Sequence, residues 1–231
     1  MKNHILLLYA VLFLSFIAGS CSKKNKEPEP DVAVITAGEL TGYYLVMKSS
    51  NPAFALVLFD PDGANVKWSC HWLGGLRQGN TALKNIDNGS KTADLQIDLD
   101  APGARSMIFK VVKNSSGDLS VQSGTGLGAT GNITLVHLIK KSSLSGLVLN
   151  GSKFQSTQNN IYSYSFVPDE KFRLTQSGFV LWTKEYYPLG GNVGFKSNDD
   201  QHFGVFISDG GRFGFEMRSS DGTVVTAQKT P

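Results

Sequence analysis

The side chains that could support catalysis or bind a metal are few in this chain, and their spacing does not pair them. His71, His137 and His202 lie far apart, and no His-x-His or Cys-x-x-Cys motif would supply two ligands from one element. Cys70 and His71 are adjacent in a predicted strand, so they point to opposite faces and cannot act as nucleophile and base. We expect Cys70 to be a small buried residue and His137, which alternates with apolar residues, to be a core histidine. The sequence predicts no metal site.

The acidic residues do not form a recognisable catalytic or calcium-binding set. Asp199–Asp200, Asp209 and Asp221 fall in predicted turns, where an aspartate accepts hydrogen bonds from its own backbone. Glu216 alternates with apolar neighbours and is expected to face solvent. We predict that the protein is not an enzyme and uses no cofactor. An enzyme would require the fold to bring His202, Asp209 and Glu216 together.

A glycine-rich stretch, Gly126–Gly131, has the Gly-x-Gly-x-x-Gly spacing of dinucleotide-binding loops. That function depends on a helix whose N-terminus follows the glycines and holds the pyrophosphate. Here the following segment, 132–140, is apolar and rich in β-branched residues, so it is predicted to be a strand. The stretch is therefore interpreted as a flexible connection between two strands.

Three aromatic residues, Trp182, Tyr186 and Tyr187, form the candidate ligand-binding site. They are predicted to lie at the end of a strand and in the loop closed by Pro188–Gly191. Loops carry binding sites more often than strands do, and aromatic rings there could stack on a sugar or cover an apolar cavity. The alternative is that these rings only fill the end of a barrel.

The N-terminus has the pattern of an export signal. Lys2 precedes an almost unbroken apolar run, Ile5–Ile17, which is too short to span a bilayer. Small residues then lead into Cys21, and the stretch Ile17–Cys21 resembles the lipobox of bacterial lipoproteins. The resemblance implies that residues 1–20 are a cleaved signal peptide and that Cys21 carries the lipid anchor. An ordinary secretory signal cleaved near the same point is the alternative.

Residues 21–35 are predicted to be a flexible tether, because most of the segment is lysine, asparagine, glutamate and proline, which cannot bury enough apolar surface to become ordered. The residue after the cysteine is Ser22. By resemblance to the enterobacterial sorting rule, an aspartate at this position would retain the protein at the inner membrane. We therefore expect anchoring in the outer membrane, on its periplasmic or surface face.

The chain has a net charge of only +3 and no clustered basic face, so nucleic acid is not an expected partner.

Beyond the tether, short segments rich in valine, isoleucine and aromatic residues alternate with turn signals, which predicts an all-β fold of antiparallel meander strands without a long helix. Short, weakly similar segments occur in the same order in the two halves, for example Leu40-Thr41-Gly42 and Leu144-Ser145-Gly146. The chain is interpreted as two tandem β-modules, residues 36–141 and 142–231, each a small barrel or sandwich. One larger sheet is the alternative.

The opening Leu-Ser/Thr-Gly strand, the strand ending in Pro168-Asp169 and the last hairpin over Asp221-Gly222 resemble the lipocalin-like domains of Gram-negative lipoproteins. The resemblance is best over 144–231. It implies a curled meander barrel, a small apolar ligand or none, and no catalytic residues. The expected function is thus non-catalytic binding of a small hydrophobic or amphiphilic ligand at the cell envelope. The rival hypothesis is a surface interaction module, a sandwich that binds a glycan or another envelope protein.

Overall fold

A computed structural model describes residues 35–101 and 104–231; the predicted signal peptide, Cys21 and all of the predicted tether except Ile35 lie outside these ranges. The described chain is almost entirely antiparallel strand, arranged as two eight-stranded sheets. The prediction of an all-β meander fold is therefore confirmed. The helical elements of the described residues are one turn of α-helix, α1 (Ala37–Leu40), and a 3-10 turn, Lys141–Leu144.

The first sheet is a meander that curls until its last strand pairs with its first. Its strands are β1 (Tyr43–Ser49), β2 (Ala55–Asp62), β3 (Asn65–Trp72), β4 (Gly75–Asp87), β5 (Thr92–Asp98), β6 (Arg105–Lys113), β7 (Leu119–Gly128) and β8 (Ile133–Lys140). The hydrogen-bonded order runs from β7 through β1 to β8, so only β7 and β8 are not bonded to each other. This sheet is a nearly closed barrel.

The second sheet repeats the same topology and closes completely. Its strands are β9 (Lys153–Ser156), β10 (Tyr162–Val167), β11 (Lys171–Gln176), β12 (Phe179–Leu189), β13 (Gly194–Ser197), β14 (His202–Asp209), β15 (Arg212–Ser219) and β16 (Val224–Lys229). As β8 pairs with β1, so β16 pairs with β9. A buried leucine, Leu40 or Leu144, ends the helical turn before each barrel.

Two strands, β4 and β9, were not predicted from the sequence. The segment Gly75–Asp87 is rich in glycine, asparagine and lysine and shows no clear alternation of apolar residues. It forms a strand because β3 and β5 pair with its two halves in turn. β9 is short and carries a single large apolar residue, Phe154, and its pairing with β10 and β16 closes the second barrel.

Each barrel has a packed interior. In the first barrel, inward positions such as Leu45, Val57 and Trp68 belong to one apolar cluster, and Cys70 is fully buried among them. The second barrel is filled largely by phenylalanine rings. The fully buried ones are Phe154, Phe166, Phe172, Phe195, Phe206 and Phe215. These six make ring contacts with one another at 5–6 Å, so little free space is left in the middle of this barrel.

The first two strands are buried on both faces, and this joins the barrels. While Leu45 and Val57 point into the first barrel, their neighbours Tyr44 and Leu56 belong to the core cluster of the second. The hydroxyl of Tyr44 donates a hydrogen bond of 2.7 Å to the carbonyl oxygen of Phe206. The core cluster of the second barrel therefore includes side chains from the outer face of the first barrel.

Two expectations about single side chains were wrong. Glu216 was expected to face solvent, but it forms an ion pair with Lys48 of the first barrel, with 2.5 Å between Nζ and Oε1. His137 is exposed on β8, because its neighbours Val136 and Leu138 take the inward positions. Both errors arise from contacts between barrels or strands that the alternation along a single strand does not reveal.

Candidate ligand site at one mouth of the second barrel

One end of the second barrel holds a cavity of about 340 Å³. At this end, β11 turns into β12, β13 into β14 and β15 into β16, and we call it the cavity end. The floor is apolar, formed by Leu174, Trp182, Met217 and Val225. Below it the packed phenylalanine rings begin, with Phe172 in edge contact with Trp182 at 5.0 Å. A ligand can therefore occupy the mouth but not the middle of the barrel.

The rim of the cavity is polar because it is built from turns. Gln201 comes from the β13–β14 connection, and Ser220, Asp221 and Thr223 come from the turn between β15 and β16. Asp221 accepts a hydrogen bond from the backbone N–H of Thr223, which lowers the pKa of its carboxyl group and keeps it ionised. The rim thus presents hydroxyl groups, an amide and one negative charge.

His202 is the polar group that links rim and floor. It lines the cavity at the first position of β14 and is only 8% exposed. Its ring lies against Trp182 at 4.9 Å and against Phe172 at 5.6 Å. Its Nδ1 atom is buried and has no hydrogen-bond partner among the described residues. Leaving a buried polar atom unpaired is costly, so the packing of His202 alone does not explain a histidine at this position.

Burial, helped by the positive charge of Lys184, lowers the pKa of His202 to about 4. The imidazole is therefore neutral at neutral pH, with one nitrogen that donates and one that accepts a hydrogen bond. Lys184 itself is paired with Asp199, at 2.5 Å between Nζ and Oδ2. Although burial opposes ionisation of Asp199, hydrogen bonds from Lys184 and Ser197 hold its pKa at about 2. The surroundings of the cavity thus carry ionised carboxylates and a neutral histidine.

The three aromatic residues predicted as the site are not brought together. All three lie in strand β12, which extends to Leu189, so the strand position expected for Trp182 is confirmed and the loop position expected for Tyr186 and Tyr187 was wrong. Trp182 lines the cavity. Tyr186 points the same way but lies deeper in the core, in edge contact with Phe166 at 5.2 Å. Tyr187, one residue on, points to the outer face and is 39% exposed.

Sequence reasoning missed His202 and Asp221 as parts of one site. His202 begins β14, whereas Asp221 lies in the turn before β16, and only barrel closure makes both line one cavity. The turn signal at Ser219–Gly222 was visible in the sequence, but the position of that turn around the barrel was not.

The other candidate residues are not arranged for catalysis. Cys70 is fully buried, and burial raises the pKa of its thiol to about 12. His202 and Asp209 occupy opposite ends of β14, roughly 23 Å apart at the rise of an extended strand. Gly126–Gly128 form the end of β7, and only residues 129–131 belong to the connection to β8, so the stretch is partly strand and not a connection throughout. The described residues contain no group of three or more side chains placed to hold a metal ion.

Comparisons with known proteins add no identification. No protein-family model matches the chain, and no curated protein or solved structure matches it. Within residues 35–101 and 104–231, no helix is both long and apolar enough to cross a membrane.

Proposed function

We propose that this protein is a lipid-anchored envelope protein that binds a small amphiphilic ligand in the mouth of the second barrel. The observation that carries the ligand proposal is the cavity itself, which has an apolar floor and a polar rim and is lined by His202, a buried histidine whose Nδ1 has no partner among the described residues. Anchoring through a lipid on Cys21 is supported by the apolar run and the small residues before it. Outer-membrane localisation belongs to the same proposal.

The cavity limits the ligand's size and polarity. Its volume of about 340 Å³ is at the lower end of the range for small-molecule sites. The floor of Trp182 and Leu174 would cover an apolar body, while His202 and the rim hydroxyls would bond a polar group. The negative charge of Asp221 disfavours an anionic group at the rim. We infer an apolar body with a neutral or cationic head.

Native mass spectrometry of residues 22–231, purified gently and without the signal, tests this proposal. We expect a mass above that of the bare chain, which is lost on organic extraction. The variants Trp182→Ala and His202→Asn should lose the added mass, because they remove the floor and the buried hydrogen-bonding nitrogen.

Tyr187→Ala is the matched control, since it removes an aromatic ring from the outer face of the same strand. It should keep the added mass. Loss of the ligand in Tyr187→Ala and its retention in Trp182→Ala would contradict the site. Circular dichroism of each variant checks that the barrel is folded.

A further inference from the structure

The hairpin between β11 and β12 ends in exposed apolar side chains. Phe179, Val180 and Leu181 are 77%, 53% and 48% exposed, although neighbouring residues of a strand point to opposite faces. Both faces of the hairpin are therefore in solvent, and it projects beyond the barrel. Ile161, 39% exposed, lies beside it, since its carbonyl oxygen accepts a 2.8 Å hydrogen bond from the N–H of Ser177. We call Ile161, Phe179, Val180 and Leu181 the apolar tip.

The apolar tip stands in an uncharged part of the surface. The segment from Leu174 to Thr183 contains no ionisable acid or base, and neither does the segment from Phe154 to Pro168 apart from tyrosine. These two segments supply β9, β10 and both hairpin arms at this end. Exposed clusters of large apolar residues mark surfaces that contact a membrane or another protein. The apolar tip itself has no charge to dehydrate, so it can approach the boundary between lipid headgroups and acyl chains at little cost. The turns that hold Asp199 and Asp221 at the same end of the barrel are charged and would stay among the headgroups.

The proposed anchor places the apolar tip within reach of a bilayer. Fourteen residue steps separate Cys21 from Ile35, the first described residue, and they span at most about 50 Å when extended. A folded unit of this size is about 40 Å across. The tether is therefore long enough for the barrel to turn its cavity end towards the membrane that holds the lipid.

We propose that the apolar tip inserts into the outer part of the bilayer to which the protein is anchored. This inference rests on the proposed membrane anchoring. Insertion to a depth of about 5–10 Å would bury the Phe179 and Leu181 side chains. Because the apolar tip and the cavity lie at the same end of the barrel, insertion turns the cavity mouth towards the lipid surface. An amphiphilic ligand would then pass between bilayer and cavity without crossing water.

Fluorescence quenching tests the insertion without depending on lipidation or on a ligand. Residues 22–231 carrying an N-terminal hexahistidine tag are attached to phosphatidylcholine vesicles that contain a nickel-chelating lipid, which replaces the natural anchor. The variant Phe179→Trp places a reporter in the apolar tip. Val148→Trp places one at the opposite end of the barrel, at a site that is 65% exposed.

With lipids brominated near the headgroup end of the acyl chain, we expect the emission added by Phe179→Trp to be strongly quenched, because insertion brings the reporter to the depth of the bromine atoms. Val148→Trp should lose little. Adding Leu181→Ser to Phe179→Trp should reduce the quenching, because it weakens insertion without moving the reporter.

Equal quenching of the two reporters, or none at position 179, would overturn the inference and leave the apolar tip as a surface for a protein partner. Since the vesicle experiment uses no ligand and no natural lipid, its failure is distinct from failure of the mass-spectrometry experiment. Circular dichroism confirms that each variant is folded.

Discussion

His202 shows how a single buried side chain ties the site to stability. Its imidazole is packed against Trp182 and kept neutral by burial and by Lys184, and its Nδ1 is left without a protein partner. A well-packed apolar residue would stabilise this position better, because a buried unpaired polar atom has a desolvation cost. The presence of histidine here is more easily explained by binding than by packing.

The lowered pKa of His202 predicts that the protein loses stability in mild acid. The unfolded chain binds a proton near pH 6.5, whereas folded His202 does so only near pH 4. Between these values the unfolded state binds more protons, so the free energy of unfolding falls as pH falls. After allowance for solvent screening at the mouth, we expect a loss of about 2 kcal/mol from pH 7 to pH 4.5.

Urea unfolding at the two pH values measures this loss, and His202→Asn should remove most of it. His71 also has a lowered pKa, caused by burial and by Lys196, so His71→Asn serves to separate its share. Asp199 and Asp221, whose pKa values are lowered, lose their contribution only below about pH 4. An unchanged pH dependence in His202→Asn would contradict the assignment.

At the scale of the strands, aromatic rings lie over glycines on the neighbouring strand. Phe195 pairs with Gly204, and Trp68 pairs with Gly79. A Cβ atom on Gly204 would lie 2.2 Å from the Phe195 ring, and one on Gly79 would lie 2.7 Å from the Trp68 ring. Each ring therefore fills the space of the missing side chain. These glycines are required for packing within strands and not for turns.

Gly204→Ala should destabilise the second barrel by about 1–3 kcal/mol, because the fully buried Phe195 ring has no free space to enter. Thermal or urea unfolding measures the change. Gly38→Ala is the control, since its Cβ would meet no atom closer than 3.9 Å and the helical position favours alanine. Equal free energies of unfolding for the two variants would contradict this prediction, because they would show that the Phe195 ring can move away from the added methyl group without loss of stability.

At the scale of the whole molecule, the packing between the barrels makes them one folding unit. Residues 34–231 form a single compact unit, and Tyr44 and Leu56 of the first barrel lie in the core cluster of the second. Leu56 also lies under Gly194, where a Cβ would approach its Cδ2 atom to 2.7 Å. Separating the barrels would expose these side chains and the buried hydrogen bond to Phe206.

We therefore expect the two barrels to unfold in one cooperative transition. Tryptophan fluorescence can report on each barrel separately, because Trp68 and Trp72 lie in the first and Trp182 in the second. In urea, the fluorescence of the Trp182→Phe variant comes from Trp68 and Trp72 and follows unfolding of the first barrel. The fluorescence of the double variant Trp68→Phe/Trp72→Phe comes from Trp182 and follows unfolding of the second barrel. Each variant should show a fluorescence transition that coincides with its own circular dichroism transition. Fluorescence and circular dichroism transitions that separate within one variant would show that the barrels are independent.

The sequence by itself determined the class of the fold and most of its strands. Period-two alternation and glycine-rich turns are local signals, and they predicted the strand that contains Cys70 and His71, which is β3 in the structure. The same alternation placed Cys70 inside. The export signal and Cys21 are also local patterns, and their function stays a prediction.

Only the tertiary structure decided which residues share a site. Trp182, His202 and Asp221 come from three different parts of the second barrel, and closure of the sheet makes them line one cavity. Tyr187, adjacent in sequence to Tyr186, was placed on the outer face because β12 continues through a predicted loop. The burial of Tyr44 likewise depends on the second barrel, because its hydrogen-bond partner, the carbonyl group of Phe206, lies 162 residues further along the chain. Pairings over such distances are set by closure of the sheets, which periodicity along one strand does not encode.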